Sequence, residues 1–264
     1  MLRKMLWIAF HHDPDELIQK ANYIGAWAVA VRTANPLDKD IITKYHHAGL
    51  KVYGWLLPAV VHTPKYEYAS DEATHVAKDL IPHGLDGYFI DPEGKDVGDP
   101  RNWDQKRLTT LASNFCKTIL SAVPTGRSFQ FGLTSHYRAR DTYPNLPWSS
   151  FLPSCDLLVP QSYWRYRDDD GSIKNEGSGP KGNYLDGMTD WGKLRGRGKI
   201  IPMAGELGVV DGGGLLIHAQ TAAGRDLGLA LADGIETDLY YYTDDLNIPQ
   251  DNLDTIKNLG KAQS

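Results

Sequence analysis

Two carboxylates two residues apart, Asp91 and Glu93, close the apolar run Gly87-Tyr88-Phe89-Ile90. Side chains alternate in direction along an extended strand, so residues i and i+2 share a face and lie ~6–7 Å apart. Acids at that spacing raise each other's cost of ionising, which favours one proton held between the two. Hydrolysis of a glycosidic bond uses such a pair: the neutral acid protonates the leaving oxygen, and the carboxylate attacks or stabilises the positive centre. Pro92 has no N–H to donate, is tolerated where a strand ends, and stiffens the turn that carries Glu93. A salt bridge with Arg32 is the plainer role open to the same acids.

Elements elsewhere in the chain must gather such residues. An apolar β-type run followed by an amphipathic stretch recurs eight times, with strands expected at 6–10, 27–32, 52–57, 87–91, 129–134, 157–161, 200–204 and 239–243. Asp13-Pro14-Asp15-Glu16 offers a cap, a first-turn proline and acids that meet the free N–H groups of a helix start. Further helices are expected over 38–49, 71–84, 104–123, 184–194, 215–231 and 250–259. Between 135 and 155, Pro144 and Pro147 leave a loop with at most a short helix. Continuously apolar strands separated by helices imply a parallel sheet covered on its outer face. Eight of them closing on themselves give one α/β domain, a single (β/α)8 TIM barrel over residues 1–264. That length matches the ~250 residues typical of the fold. An open doubly wound sheet is the alternative, but no Gly-x-Gly-x-x-Gly follows the first strand.

Barrel enzymes work at the C-terminal ends of their strands. There the sequence places His11 and His12, Arg32 and Thr33, Trp55, Asp91 and Glu93, and Ser135 and His136 on strands one to five. Gln161, Tyr163 and Trp164 follow on strand six, Glu206 on strand seven, and Tyr241, Thr243 and Asp245 on strand eight. Trp55, Trp103, Trp148, Tyr163, Trp164 and Tyr166 also fall at or after strand ends, and flat aromatic faces suit the C–H faces of sugar rings.

The stretch Asp86-Gly87-Tyr88-Phe89-Ile90-Asp91-Pro92-Glu93 resembles the Asp-Gly-x-Asp-x-Asp-x-Glu strand of family 18 chitinase-like glycoside hydrolases. More loosely, it resembles the Asp-x-Glu strand of family 25 lysozymes. The resemblance implies that Glu93 is the acid and that Asp91 orients the substrate's acetamido group, which attacks in place of an enzyme nucleophile. Leu158-Val159-Pro160-Gln161-Ser162-Tyr163-Trp164 is similar to the family's Met-x-Tyr-Asp strand, with Tyr163 on its tyrosine. Phe89 and Trp164 stand where the family has aspartates, and Gln161 where it has methionine. The similarity covers residues 85–93 and 157–164.

The expected activity is hydrolysis of a β-linked, N-acetylated polysaccharide of peptidoglycan or chitin-like type. Glu93, Asp91 and Tyr163 are the expected catalytic residues. Gln161, Trp164, Trp55, Arg32, His136, Glu206 and Tyr241 are expected to contact sugar. No cofactor and no metal are expected. Two other classes remain open: a non-catalytic barrel that kept a sugar groove, and a metal-dependent hydrolase or deacetylase using His11, His136, Asp91 or Glu206. The adjacent His11-His12 is not the His-x-His that would put two imidazoles on one strand face.

Composition narrows the partners. A net charge of −5 lacks the basic excess that phosphate-backbone binding needs, so nucleic acid is not expected. Lys193, Arg195, Arg197 and Lys199 read as cations at a helix C-terminus. No run of ~18 apolar residues exists for a membrane span. His11, His12 and Asp13 arrive before a signal-peptide core can form, so the chain is expected to be cytoplasmic as made, with release or export by a non-classical route left open; a monomer is expected. Cys116 and Cys155 form no disulfide framework and are expected to be reduced and structural. Asp168-Asp169-Asp170-Gly171 reads as a surface turn, and Gly212-Gly213-Gly214 as a mobile loop at the mouth.

Overall fold

Runs rich in aliphatic and aromatic residues form the strands, and capped amphipathic stretches form the helices between them. A computed structural model describes residues 3–167, 172–175, 177–208 and 238–258. Strands β1 (Lys4–Ile8), β2 (Ala26–Arg32), β3 (Lys51–Leu56), β4 (Gly87–Ile90), β5 (Gln130–His136) and β6 (Leu157–Gln161) pair in sequence order, all parallel. A small antiparallel hairpin, β7 (Arg165–Arg167) with β8 (Ile173–Asn175), follows them. The seventh staff is broken into β9 (Lys199–Ile200) and β10 (Met203–Ala204), because Pro202 can donate no ladder bond. Both pieces pair with β6; β10 also pairs with β11 (Leu239–Thr243), and β11 pairs with β1. The eight-membered parallel barrel is thereby closed, as expected from the eight repeats.

Helix α1 (Pro14–Ile24) starts on Asp13, whose side chain accepts from Asp15 N, and α2 (Lys39–His47) starts on Asp38, which accepts from Ile41 N. Helix α3 (Ala69–His75) runs on through a π-turn (Val76–Leu80) into Ile81–His83, the wider turn making room for Pro82. It stops at Gly84 with φ of 114°, a conformation open to glycine. Then come α4 (Thr109–Ser121), α5 (Trp148–Phe151), α6 (Gly179–Lys193) and α7 (Gln250–Asn258). Helix α4 begins later than the expected residue 104 because the Asp104 carboxylate accepts from Asn145 N and ties two loops together. The helix expected over 215–231, the glycine triplet at 212–214 and the acidic turn at 168–171 lie outside the described residues.

Alternation along the strands builds two cores. Leu6, Ile8, Val29, Val31, Tyr88 and Ile90 face outward and pack under the helices. Their neighbours Met5, Trp7, Ala28, Ala30, Tyr53 and Phe89 face the barrel axis, which is filled by side chains. Both cysteines are buried, and burial pushes the Cys116 thiol up to about 12. No helix among the described residues is long and apolar enough to cross a membrane.

Lys4 fastens the two ends of the chain. It is 6% exposed, and its ammonium donates to the Ile24 carbonyl at the end of α1 and to the Ile256 and Lys257 carbonyls at the end of α7. A cation there meets the negative ends of two helices. Lys4→Met is expected to cost about 2–3 kcal/mol, read from urea unfolding midpoints, since charge-assisted bonds to otherwise orphaned carbonyls are lost. A loss under about 0.5 kcal/mol, the level of an ordinary surface substitution, would remove this role.

Candidate active site

The turn Asp91-Pro92-Glu93 leaves β4 at the barrel's C-terminal mouth. Three neighbours hold it: Asp91 N donates to Leu56 O at 2.9 Å, Ser135 Oγ to Pro92 O at 2.7 Å, and Trp103 N to Glu93 O at 2.8 Å. Both acids line one cavity of about 230 Å³.

Their surroundings differ. Asp91 is 6% exposed, and Gln161 Nε2 donates to its Oδ1 at 2.8 Å, while no described residue bonds Oδ2. Burial, reinforced by the charge of Glu93, holds the Asp91 carboxyl well above the usual carboxylate range; Lys95, Gln161 and Arg32 only partly offset this. Glu93 Oε2 meets the Lys95 ammonium at 2.6 Å, and its Oε1 takes no hydrogen bond among the described residues. Burial disfavours the Lys95 charge, but attraction to Glu93 outweighs it and raises the ammonium above its ordinary value. The cation paired with this acid is therefore Lys95, not Arg32.

The floor under the acids is aromatic. Phe89 lies 4.7 Å from Trp7 and 5.5 Å from Tyr53, ring centre to ring centre. Gly132 on β5 makes room for it, since a Cβ there would fall 2.2 Å from the Phe89 ring. The walls are a run of rings: Trp7 to Trp55 at 5.7 Å, Trp55 edge-on to Tyr242 at 6.2 Å, and Tyr242 stacked on Tyr163 at 5.1 Å. Trp55 Nε1 donates to Ile8 O, and Tyr242 donates to Asp244 Oδ1 at 2.7 Å. Met203 and Asp244 complete the lining with Glu206.

Glu206 is buried, and protein donors occupy both its oxygens. Gly208 N and Thr243 Oγ1 reach Oε1 at 2.7 and 2.9 Å, and Asp244 N reaches Oε2 at 2.8 Å. Burial and the nearby Asp244 still push its carboxyl up to about 8. Glu72, buried on α3 against the outer side of the barrel with Thr33 Oγ1 and Tyr88 OH both donating to its Oε1, is also raised by burial. Carboxyls raised in this way keep a proton in the folded chain that the unfolded chain gives up from about pH 4.5. Stability must therefore fall as pH rises above about 4.5, with the contribution of Glu206 lost by about pH 8. The thermal midpoint is expected to drop by roughly 5 °C or more from pH 5 to pH 8 in a scanning-fluorimetry series. A flat or rising series would show that these acids are not held neutral.

Of the residues expected at the site, Asp91, Glu93, Gln161, Tyr163, Trp55 and Glu206 line the cavity together. Tyr241 does not. It faces outward among the helix-packing residues, fully buried, because its neighbours Tyr240 and Tyr242 hold the inward register. Trp164 is buried away from the lining, as are Trp103 and Trp148, whose indole N–H groups bond the Pro58 and Tyr143 carbonyls. His136 turns to its own loop: its Nδ1 accepts from Arg138 N at 3.1 Å, and its ring stacks on Tyr137. Arg32 acts on Asp91 through charge but does not line the cavity. His12 bonds Tyr45 OH at 2.8 Å, and His11 is exposed. The side chain of Tyr166 lies outside the described residues. Among the described residues no three His, Cys, Asp or Glu side chains are placed to hold a metal ion.

Trp7, Tyr242, Met203, Asp244 and Lys95 are additional. Trp7 sits within β1 rather than at its end, so selecting strand ends passes over it, whereas the inward parity of the strands would have found both Trp7 and Tyr242.

No protein-family profile matches the chain, and no curated protein matches its sequence. Solved structures do match its fold. A Streptomyces coelicolor protein assigned as chitinase A is 12% identical with a TM-score of 0.51, over 98% of this chain and 96% of that one. The α-galactosidase of Saccharomyces cerevisiae is 11% identical with a TM-score of 0.58, over 97% of this chain and 62% of that one. An HpcH/HpaI aldolase from Desulfitobacterium hafniense is 12% identical with a TM-score of 0.50, over 92% and 86%. The fold is thus a TIM barrel, which glycosidases and an aldolase among these structures share, so the reaction has to be argued from the side chains.

Proposed function

We propose that this chain is a glycoside hydrolase that processes one sugar ring at a time in the cavity above β4. The observation that carries the reading is the unequal pair: two carboxyls from one strand open into one aromatic-walled cavity, one kept neutral by burial and one matched to an ammonium. A neutral Asp91 that lines the cavity, with Oδ2 bonded by no described residue, is suited to give a proton to the leaving oxygen. Glu93, ion-paired with Lys95 through Oε2 and with Oε1 taking no hydrogen bond among the described residues, is suited to stabilise or attack the anomeric centre. These roles reverse those drawn from the strand-four resemblance, where Glu93 carried the proton. Tyr163 and Trp55 supply stacking faces, and Gln161 fixes Asp91.

At about 230 Å³ the cavity is smaller than the roughly 300–1,000 Å³ of most ligand sites, which suits a single ring with its neighbours lying outside. The N-acetylated polymers expected from the resemblance lose part of their support. In that resemblance Asp91 orients the acetamido group, but the further aspartate of the family's strand is replaced by Phe89, which forms part of the aromatic floor. Incubation of the chain with peptidoglycan, chitin-like, amino-sugar and neutral polymers should release new reducing ends from at least one, and Asp91→Asn should abolish the release. Binding without product would favour a carbohydrate-binding barrel instead, a role consistent with the Glu93–Lys95 ion pair.

A further inference from the structure

A second cavity, of about 680 Å³ against about 230 Å³ for the first, opens between the loop after β4 and the loop after β5. Consecutive residues line the two: Glu93 the first, Gly94 and Lys95 the second. The Lys95 ammonium reaches back to Glu93 Oε2 at 2.6 Å, so one ion pair joins the two linings.

The walls of the second cavity are fixed by their own contacts. Asn102 Oδ1 accepts from Lys95 N at 3.2 Å and from Asp104 N at 3.0 Å, and Asp104 Oδ1 accepts from Asn145 N at 2.6 Å, which ties the two loops together. The Tyr143 ring lies against Gly94, where a Cβ would fall 2.5 Å from it, and stands edge-on to His136 at 5.8 Å. Arg101 meets Asp99 at 2.9 Å and lies over the Tyr66 ring. A site built in advance loses little freedom when a ligand enters. Its cations are matched, Lys95 with Glu93 and Arg101 with Asp99, so the lining holds no spare positive charge for a phosphate or carboxylate ligand. What it offers is suited to hydroxyls: the exposed Asp96 carboxylate as acceptor, Asn102 Nδ2, bonded by no described residue, as donor, and the Tyr143 ring as an apolar face.

We propose that the second cavity binds the next, uncharged rings of the same glycan whose reacting ring occupies the first, so that the substrate is an oligomer or polymer rather than a single capping sugar. The proposal rests on the hydrolase reading and adds the path of the chain, which runs past the Glu93–Lys95 pair and between the loops after β4 and β5. The competing path passes Phe10, 54% exposed after β1, on the far side of the mouth from β5.

Calorimetric titration of the full chain with cello-oligosaccharides and with N-acetylglucosamine oligomers, each of one to five rings, tests this. In at least one series affinity is expected to rise at least about tenfold between one ring and three. Tyr143→Ala should erase most of that gain and leave binding of the single ring unchanged, whereas Tyr143→Phe, which keeps the aromatic face, should retain it. Asp96→Ala removes an exposed side chain that bonds no described residue, so the fold should hold and the longer oligomers should bind about threefold more weakly. Affinity independent of length, binding of no oligomer, or a gain lost in Phe10→Ala instead of Tyr143→Ala overturns the proposal. Turnover in the same samples separates the two claims. Length-dependent binding without cleavage would sink the hydrolase and keep the second site. Cleavage of two-ring and five-ring oligomers with equal kcat/KM would sink the second site and keep the hydrolase.

Discussion

Asp91→Asn is expected to lower turnover of the natural substrate by about 10²–10⁴-fold, the range a positioned proton donor contributes. The amide keeps the size and still accepts the Gln161 bond through its oxygen, so folding should hold and the loss should fall on the chemical step. Glu93→Gln should cost at least as much for a different reason. It removes a negative charge where positive charge develops and leaves the Lys95 ammonium unopposed at the rim of the cavity. Leaving-group ability separates the two roles. An aryl glycoside whose phenolate departs unaided needs no proton, so Asp91→Asn should recover most of its rate on that substrate and Glu93→Gln should recover little. The wild-type rate should fall on the alkaline side as Asp91 gives up its proton, and that limb should vanish in Asp91→Asn. Recovery by Glu93→Gln alone would return the proton to Glu93.

Legibility from sequence followed the physics of each feature. Eight apolar runs with capped helices between them were enough to infer a closed barrel, because strand period and helix caps are local properties. The Asp91-Pro92-Glu93 turn was visible for the same reason. Side-chain direction at and beyond a strand's end is set by tertiary contacts, so Trp164, three residues past β6, and His136, the last residue of β5, do not line the mouth that their positions suggest. A one-residue error of parity reverses the face, which is why Tyr241 stood in for Tyr242. Charge partners were harder still. Lys95, two residues beyond Glu93, reaches it only because the loop after β4 folds back, with Trp103 N bonded to Glu93 O and Lys95 N bonded to Asn102 Oδ1. Burial of one acid more than the other, which divides their roles, depends on the aromatic floor contributed by β1, β3 and β4 together.

That floor leads to the second large effect. Phe89→Asp would place on β4 the aspartate of the chitinase-like strand, yet it is expected to unfold the chain rather than enhance its chemistry. Removing the ring from among Trp7, Tyr53 and Tyr240 leaves a hole of the kind that costs about 3–5 kcal/mol for phenylalanine in a core. The incoming carboxylate would lose its water and gain no donor, a further penalty of several kcal/mol unless it stays protonated. Together these approach the whole stability of an ordinary domain, about 5–15 kcal/mol. Phe89→Leu, which keeps an apolar group of moderate size, should lose only about 1–3 kcal/mol and retain activity. Urea unfolding followed by circular dichroism compares the two. A Phe89→Asp chain as stable as Phe89→Leu would mean that water reaches the floor. In that case the burial invoked for Asp91, and with it the neutral acid, would lose its cause. Gly132 makes the same point from the facing strand: with its Cβ position already filled by the Phe89 ring, the two residues are fitted to each other, and an acid at one of them has no place prepared by the other.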